Sequence, residues 1–330
     1  MSESLDDFSR WVKSNGLSSK VPTDTLKLKK LSILDLSKCK IRELPQSIGS
    51  LESLSVLKLS NNRLKELPQS IGRLKKLRNL QCENNLLDSL PDSIGELESL
   101  IILNLTGNRL KELPESFYNL KKLTRLTIAA NSLQRLSDKL KNLSRLLYFS
   151  VDTNNLKELP EVFANMTSLY YLDLSYNEFT KLPESIGKIN ELETLLLEGN
   201  NIENLPSLEA HDMLIRLNLN DNNISEIDFD ISRLEDLQIL TLDNNNLKYL
   251  PKDICRLTKL NRLSVSENAL KELPECIGDL SKLLELDIEE NEIREFPASF
   301  SRLTKLKNLY IAGNEGLNRP DLPSLEFCDI

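Results

Sequence analysis

The sequence predicts an α/β solenoid: a curved stack of about 13 short repeats, with a parallel sheet lining its concave side and a helical cap at the N-terminus. Three observations carry this reading. A pattern of leucines and one asparagine recurs at intervals of 23 residues. Each copy contains a short stretch alternating apolar and polar residues, as a strand with one buried face requires. Aromatics make up only 5% of the 330 residues while hydrophobic residues make up 40%, so the core volume has to come from thin layers of aliphatic side chains.

The unit reads LxxLxLxxNxL followed by xxLPxxIxxLxx. One copy runs Leu54, Leu57, Leu59, Asn62, Leu64, Leu67, Pro68, Ile71 and Leu74. The asparagine recurs at Asn85, Asn108, Asn131, Asn154, Asn177 and Asn200; one residue is then lost before Asn222, and the spacing resumes at Asn245, Asn268, Asn291 and Asn314. An earlier copy carries Cys39 in that place. The LxxLxL part is the strand, with Leu57 and Leu59 facing inward and Val56, Lys58 and Ser60 outward. The asparagine is structural, because its carboxamide both donates and accepts and so can satisfy loop backbone groups that no strand ladder reaches. The Leu-Pro pair opens the return path, where proline suits the first position of a short helical turn. Such turns are wider than a strand, so the stack must curve. At about 4.8 Å per strand, the inner sheet is about 60 Å long.

A solenoid exposes its core layer at each end unless something covers it. Leu5, Phe8, Trp11 and Val12 have helical spacing and precede Gly16, which marks an amphipathic capping helix. At the other end Leu317, Leu322, Leu325 and Phe327 are available to seal the last layer. The organisation expected is a helical cap over residues 1–30, the solenoid over 31–325 and a tail over 326–330.

The repeats resemble a known family. Leu67-Pro68-Gln69-Ser70-Ile71-Gly72-Arg73-Leu74 and Leu182-Pro183-Glu184-Ser185-Ile186-Gly187 are similar to the 23-residue LPxxIGxL units of the Ras-group leucine-rich-repeat proteins, plant intracellular members included. They are also similar to the repeats of the Erbin, Densin and Scribble scaffolds, though no PDZ module accompanies them here. Phe8-Ser9-Arg10-Trp11-Val12 is similar to the opening of bacterial leucine-rich-repeat proteins, some of which act as effectors in host cells. The resemblance implies a leucine-rich-repeat horseshoe that binds another protein, as a scaffold or as an effector. A component of a ubiquitin ligase is a third reading, although the bacterial ligases have shorter repeats and a large helical catalytic domain after them.

With a generic core, specificity has to sit on the outward strand positions, the third, fifth, seventh and eighth of each repeat. These supply Ile102, Arg125, Tyr148, Asp152, Tyr171, Asp173, Tyr176, Leu196, Glu198, Arg216, Asp221, Asp243, Arg262, Asp287 and Glu289 as candidate partner-binding residues. Lys38, Lys58 and Arg125 lie early and the carboxylates late; Glu285 to Glu295 alone holds six acidic residues against one base. Tyrosines and aliphatics on a rigid sheet suit a partner as anchors, or alternatively pack on one another across the sheet. The partner expected is a protein with a basic surface, docked across repeats six to twelve.

Other classes are disfavoured. A net charge of −8 opposes nucleic acid and anionic membrane as partners. The N-terminus lacks a signal-peptide pattern, and the five scattered cysteines (Cys39, Cys82, Cys255, Cys276, Cys328) read as reduced thiols in the cytoplasm, with a Cys255–Cys276 bond a remote option. His211 is the one histidine, in the shortened repeat, and no nucleophile, phosphate-loop or zinc motif surrounds it. The expectation is a monomeric binder without cofactor, metal or catalysis.

Overall fold

The computed structural model describes residues 4–329. The chain divides into two compact units, Met1–Leu156 and Lys157–Ile330, and each is a stack of short strand-and-turn repeats.

The first unit opens on helix α1 (Leu5–Ser14). Ser4 caps it: its hydroxyl accepts from the Asp7 N–H at 3.3 Å, and the Asp7 carboxylate accepts from the Ser4 N–H at 2.9 Å, so two otherwise orphaned donors are satisfied reciprocally. Phe8 and Val12 are fully buried, which confirms the capping face read from the spacing. A second short helix, α2 (Thr25–Lys29), follows Asp24, whose carboxylate accepts from the Lys27 N–H at 2.9 Å; it buries Leu28.

Six parallel strands then stack in chain order: β1 (Ile33–Asp35), β2 (Val56–Lys58), β3 (Asn79–Gln81), β4 (Ile102–Asn104), β5 (Arg125–Thr127) and β6 (Tyr148–Ser150). The register steps by one repeat at each pairing, as in Leu57↔Leu80 and Leu80↔Leu103. The central residue of each strand enters the core, so Leu57, Leu80, Leu103, Leu126 and Phe149 are completely buried.

The second unit stacks eight: β7 (Tyr171–Asp173), β8 (Thr194–Leu196), β9 (Arg216–Asn218), β10 (Ile239–Thr241), β11 (Arg262–Ser264), β12 (Glu285–Asp287), β13 (Asn308–Tyr310) and β14 (Phe327–Asp329). Thr194 pairs with Arg216, one residue short of the usual step. The deletion is therefore absorbed outside the strands and leaves the sheet in register. Residues 326–330, set aside from sequence as a tail, contain β14, which pairs with β13 through Leu309↔Cys328. Leu317 and Leu322 are buried, whereas Phe327 stays 47% exposed.

Opposite the strands run 3-10 turns. Proline does not occupy their first position, as its fixed φ suggested. Pro68 stays extended (φ −69°, ψ 150°) and the turn begins at Gln69. The Pro68 carbonyl accepts from the Ile71 N–H at 3.0 Å, so the ring acts as a rigid entry to the turn. The glycine after the isoleucine allows close stacking of these turns. A Cβ on Gly72 would lie 2.6 Å from the Ser93 carbonyl oxygen, and one on Gly278 would lie 1.9 Å from that of Ser299. Both separations are too short for a carbon to occupy.

The asparagines form a ladder. Asn245 Nδ2 donates to the carbonyls of Leu219 (2.9 Å), Leu242 (3.0 Å) and Asp243 (3.2 Å), and its Oδ1 accepts from the Ile224 N–H at 3.0 Å. Asn62, Asn85 and Asn291 repeat the arrangement. Each carboxamide thus ties its own repeat to the one before it.

The cysteine reading needs correction. Cys255 and Cys276 are joined by a disulfide on the turn side. They stand in adjacent turns with Cα atoms 5.8 Å apart, inside the range a disulfide spans, because the stacking brings residues 21 apart in sequence face to face. Cys39, Cys82 and Cys328 are free. Cys82 fills a leucine site in the core, and burial pushes its thiol far up from the usual range.

Candidate functional site

The sheet faces of the two units carry the candidate side chains, because every residue flanking a buried strand centre projects away from the core.

In the first unit, Ile102 in β4 is half-buried, while Arg125 in β5 is exposed with its guanidinium 3.8 Å from the ring centroid of Tyr148 in β6. Asp152 accepts from the Ser150 hydroxyl at 2.6 Å. Arginine and tyrosine at the same position of neighbouring repeats therefore stack directly on this face.

In the second unit the face begins with Tyr171 and Asp173 on β7, half-buried, followed by the 51% exposed ring of Tyr176. The Tyr171 hydroxyl donates to Asp173 at 3.4 Å. Leu196 on β8 lies beside them, in register with Asp173. The Tyr176 hydroxyl donates to the Glu198 carboxylate. That bond first, then burial and the charges of Glu198, Asp221 and Asp173, pushes the Tyr176 phenol up to about 12. The second oxygen of Glu198 accepts from Asn218 Nδ2 at 2.7 Å, and Asn218 Oδ1 accepts from the Thr241 hydroxyl at 2.8 Å. Asp221 accepts from Asn244 Nδ2 at 2.7 Å.

Further along, Asp243 collects the Ser264 hydroxyl at 2.6 Å, the Ser266 N–H at 2.9 Å and Asn220 Nδ2 at 3.0 Å. Arg216 is exposed on β9, whereas Arg262 pairs with Glu285 across β11 and β12 at 3.3 Å. Burial raises the Asp287 carboxyl above the ordinary range, with Asp243 adding to the effect. Glu289 is pushed up to about 7, chiefly by a hydrogen bond with Asp329, then by burial and by the negative charges of Asp287, Asp329 and Glu290. At the C-terminal end of the face Glu289 therefore titrates near neutral pH.

Sequence reasoning assigned the tyrosines and carboxylates to the outward face and missed what holds them. Asn218, Thr241 and Ser264 are buried polar residues at the fifth position of successive repeats, and their hydrogen bonds fix Glu198 and Asp243. The signal was three consecutive small or amide side chains where charged residues also occur. Gly199 was missed too: with φ +67°, a Cβ there would lie 2.5 Å from Tyr176 Cδ1, so the ring rests on the glycine backbone.

His211 is completely buried in the shortened repeat, with Nδ1 3.0 Å from the Leu208 carbonyl oxygen. Burial holds its pKa below the usual value, outweighing the Leu208 and Ile186 backbone, which favours the proton. Among the described residues no group of three or more His, Cys, Asp or Glu is arranged to hold a metal ion. No helix there is long and apolar enough to cross a membrane. The arrangement can present apolar rings and oriented carboxylates to another molecule.

Known proteins share this architecture. The family described as leucine-rich repeat region matches residues 13–88 and 71–163, and the family described as leucine rich repeat matches 144–202 and 258–315. Among solved structures, a leucine-rich-repeat protein of Leptospira interrogans is 31% identical, over 92% of this chain and 85% of that one, with a TM-score of 0.80. An internalin (InlF) of Listeria monocytogenes is 24% identical over 99% of this chain and 96% of that one (TM-score 0.84), a likeness of fold. The ectodomain of the Arabidopsis receptor kinase HAESA, solved with an N-terminally extended IDA peptide hormone ligand, is 28% identical; the match covers 88% of this chain and 52% of that one (TM-score 0.73). No curated protein matches.

Proposed function

Because the chain belongs to the leucine-rich-repeat family, we propose that it is a protein-interaction module that takes a partner with a basic surface on the sheet face of its second unit. The observation that carries this reading is the group of Tyr171, Leu196 and Asp173 on the paired strands β7 and β8, with Tyr176, Glu198 and Asp221 in the loops that directly follow β7, β8 and β9. Apolar anchors supply the buried contact, and the carboxylates set approach rate and choice of partner. The peptide hormone bound to the HAESA ectodomain supports a proteinaceous ligand for this chain as well. The one-repeat register of 23 residues and the glycine-dependent stacking of the turns support placing its repeats with the Ras-group type.

The cytoplasmic expectation rested on reduced thiols and on an N-terminus without a signal-peptide pattern. The Cys255–Cys276 disulfide favours an oxidising setting instead.

A photo-crosslinking residue at Thr194 or Ile239, on the sheet face, tests the function against one at Lys252, on the turn side. Basic proteins should be captured from the sheet face and lost when Tyr171 and Tyr176 are both changed to Ala. Equal capture from Lys252, or capture indifferent to the tyrosines, refutes it.

A further inference from the structure

Tyr176 and Glu198 are held more rigidly than exposed side chains usually are. One face of the Tyr176 ring lies against Gly199, where a Cβ would stand 2.5 Å from the ring, yet the residue is 51% exposed. The hydroxyl is tied to one oxygen of Glu198, and Asn218 holds the other at 2.7 Å, itself fixed by Thr241 at 2.8 Å. Ring and carboxylate therefore form a fixed corner. A carboxylate has about four acceptor sites, so each oxygen of Glu198 retains capacity beyond the single donor it already has. Among the described residues neither Glu198 nor Asp221 takes part in an ion pair.

We propose that this corner, with Asp221 beside it, is a subsite for one arginine side chain of the partner. The guanidinium stacks on the open face of Tyr176 and directs its planar fork at Glu198. An ammonium can also sit over a ring, but only the planar guanidinium both stacks flat on it and offers a carboxylate a fork of two parallel N–H donors, which favours arginine over lysine. The chain itself shows the stacking half of this geometry in its first unit, where Arg125 lies 3.8 Å over Tyr148. Among the described residues no lysine or arginine of the second unit stacks on Tyr176 in that way. The inference rests on the docking face proposed above and names its specificity.

The test uses the whole chain with labelled tyrosine rings, titrated with N-acetyl-arginine methylamide and then with the lysine analogue, and followed by NMR. The expected result is a saturable shift of the Tyr176 ring signal, with arginine bound at least about threefold more tightly than lysine. Glu198→Gln should weaken arginine binding by roughly fivefold. Gly199→Ala, which displaces the ring, should abolish the preference. No saturable shift at Tyr176, equal affinity for both probes, or indifference to Glu198→Gln overturns the proposal. A positive titration with failed crosslinking would refute the docking face alone, and successful crosslinking with a flat titration would refute the arginine subsite alone.

Discussion

Replacing Asn245 by Ala isolates what one rung of the asparagine ladder contributes. The side chain is only 8% exposed and makes four hydrogen bonds. Its loss does not orphan all four partners. The Leu219 carbonyl still accepts from Asn222 at 3.1 Å, the Leu242 carbonyl from Asn268 at 2.9 Å and the Asp243 carbonyl from the Asp221 N–H at 2.8 Å. The Ile224 N–H has no replacement acceptor. One buried orphaned donor costs about 1–3 kcal/mol, and the weakened carbonyls add to it, so the expected loss is about 2–3 kcal/mol. Asn245→Asp separates the two roles. It retains an acceptor for Ile224 but sets a carboxylate about 3 Å from three carbonyl oxygens, which raises its folded pKa above the unfolded value, so it should destabilise at least as much at pH 7 and recover in part as the pH falls from that raised value towards about 4, the unfolded one. Repeat arrays can open locally, so urea unfolding should be paired with hydrogen exchange at the Ile224 amide. An Asn245→Ala loss below about 1 kcal/mol with Ile224 protection unchanged would show that the ladder is not what satisfies these groups.

Three further outcomes follow from the structure. Reducing the Cys255–Cys276 bond, or Cys276→Ser, opens a loop between cysteines 21 residues apart, for which chain entropy predicts a loss of about 3 kcal/mol; an unchanged melting temperature with and without reductant would contradict it. His211 has a folded pKa below 6.5, so as the pH falls through that value the unfolded chain binds the proton first. Its stabilising contribution is complete above about 6.5 and lost on acidification below it; His211→Gln should flatten this part of the stability profile, and an identical slope in the variant would exclude His211 as the cause. Gly278→Ala places a carbon 1.9 Å from the Ser299 carbonyl and should destabilise by about 1–3 kcal/mol through forced displacement of the turn; a neutral result in thermal unfolding would mean that the turns are not closely stacked.

The periodic sequence determined which side chains enter the core and which face outward. Leu57 and Leu59 are buried and the asparagines bind loop backbone because a residue's place in a strand of period two, or in a fixed loop, is a local property that each repeat states again. The candidate anchors Tyr171, Tyr176 and Leu196 were legible for the same reason. Their partners were not. Glu198 is held by a residue 22 before it and another 20 after it, and the second spacing is altered by the residue lost in the shortened repeat. The Cys255–Cys276 bond depends on how closely two turns stack, which glycines and proline geometry decide together. The pairing of β14 and the proton held at Glu289 depend on where the last loop returns the chain, bringing Asp329 to Glu289. Contacts between repeats are set by side-chain direction and by register across separate segments, and both exist only once the layers have stacked.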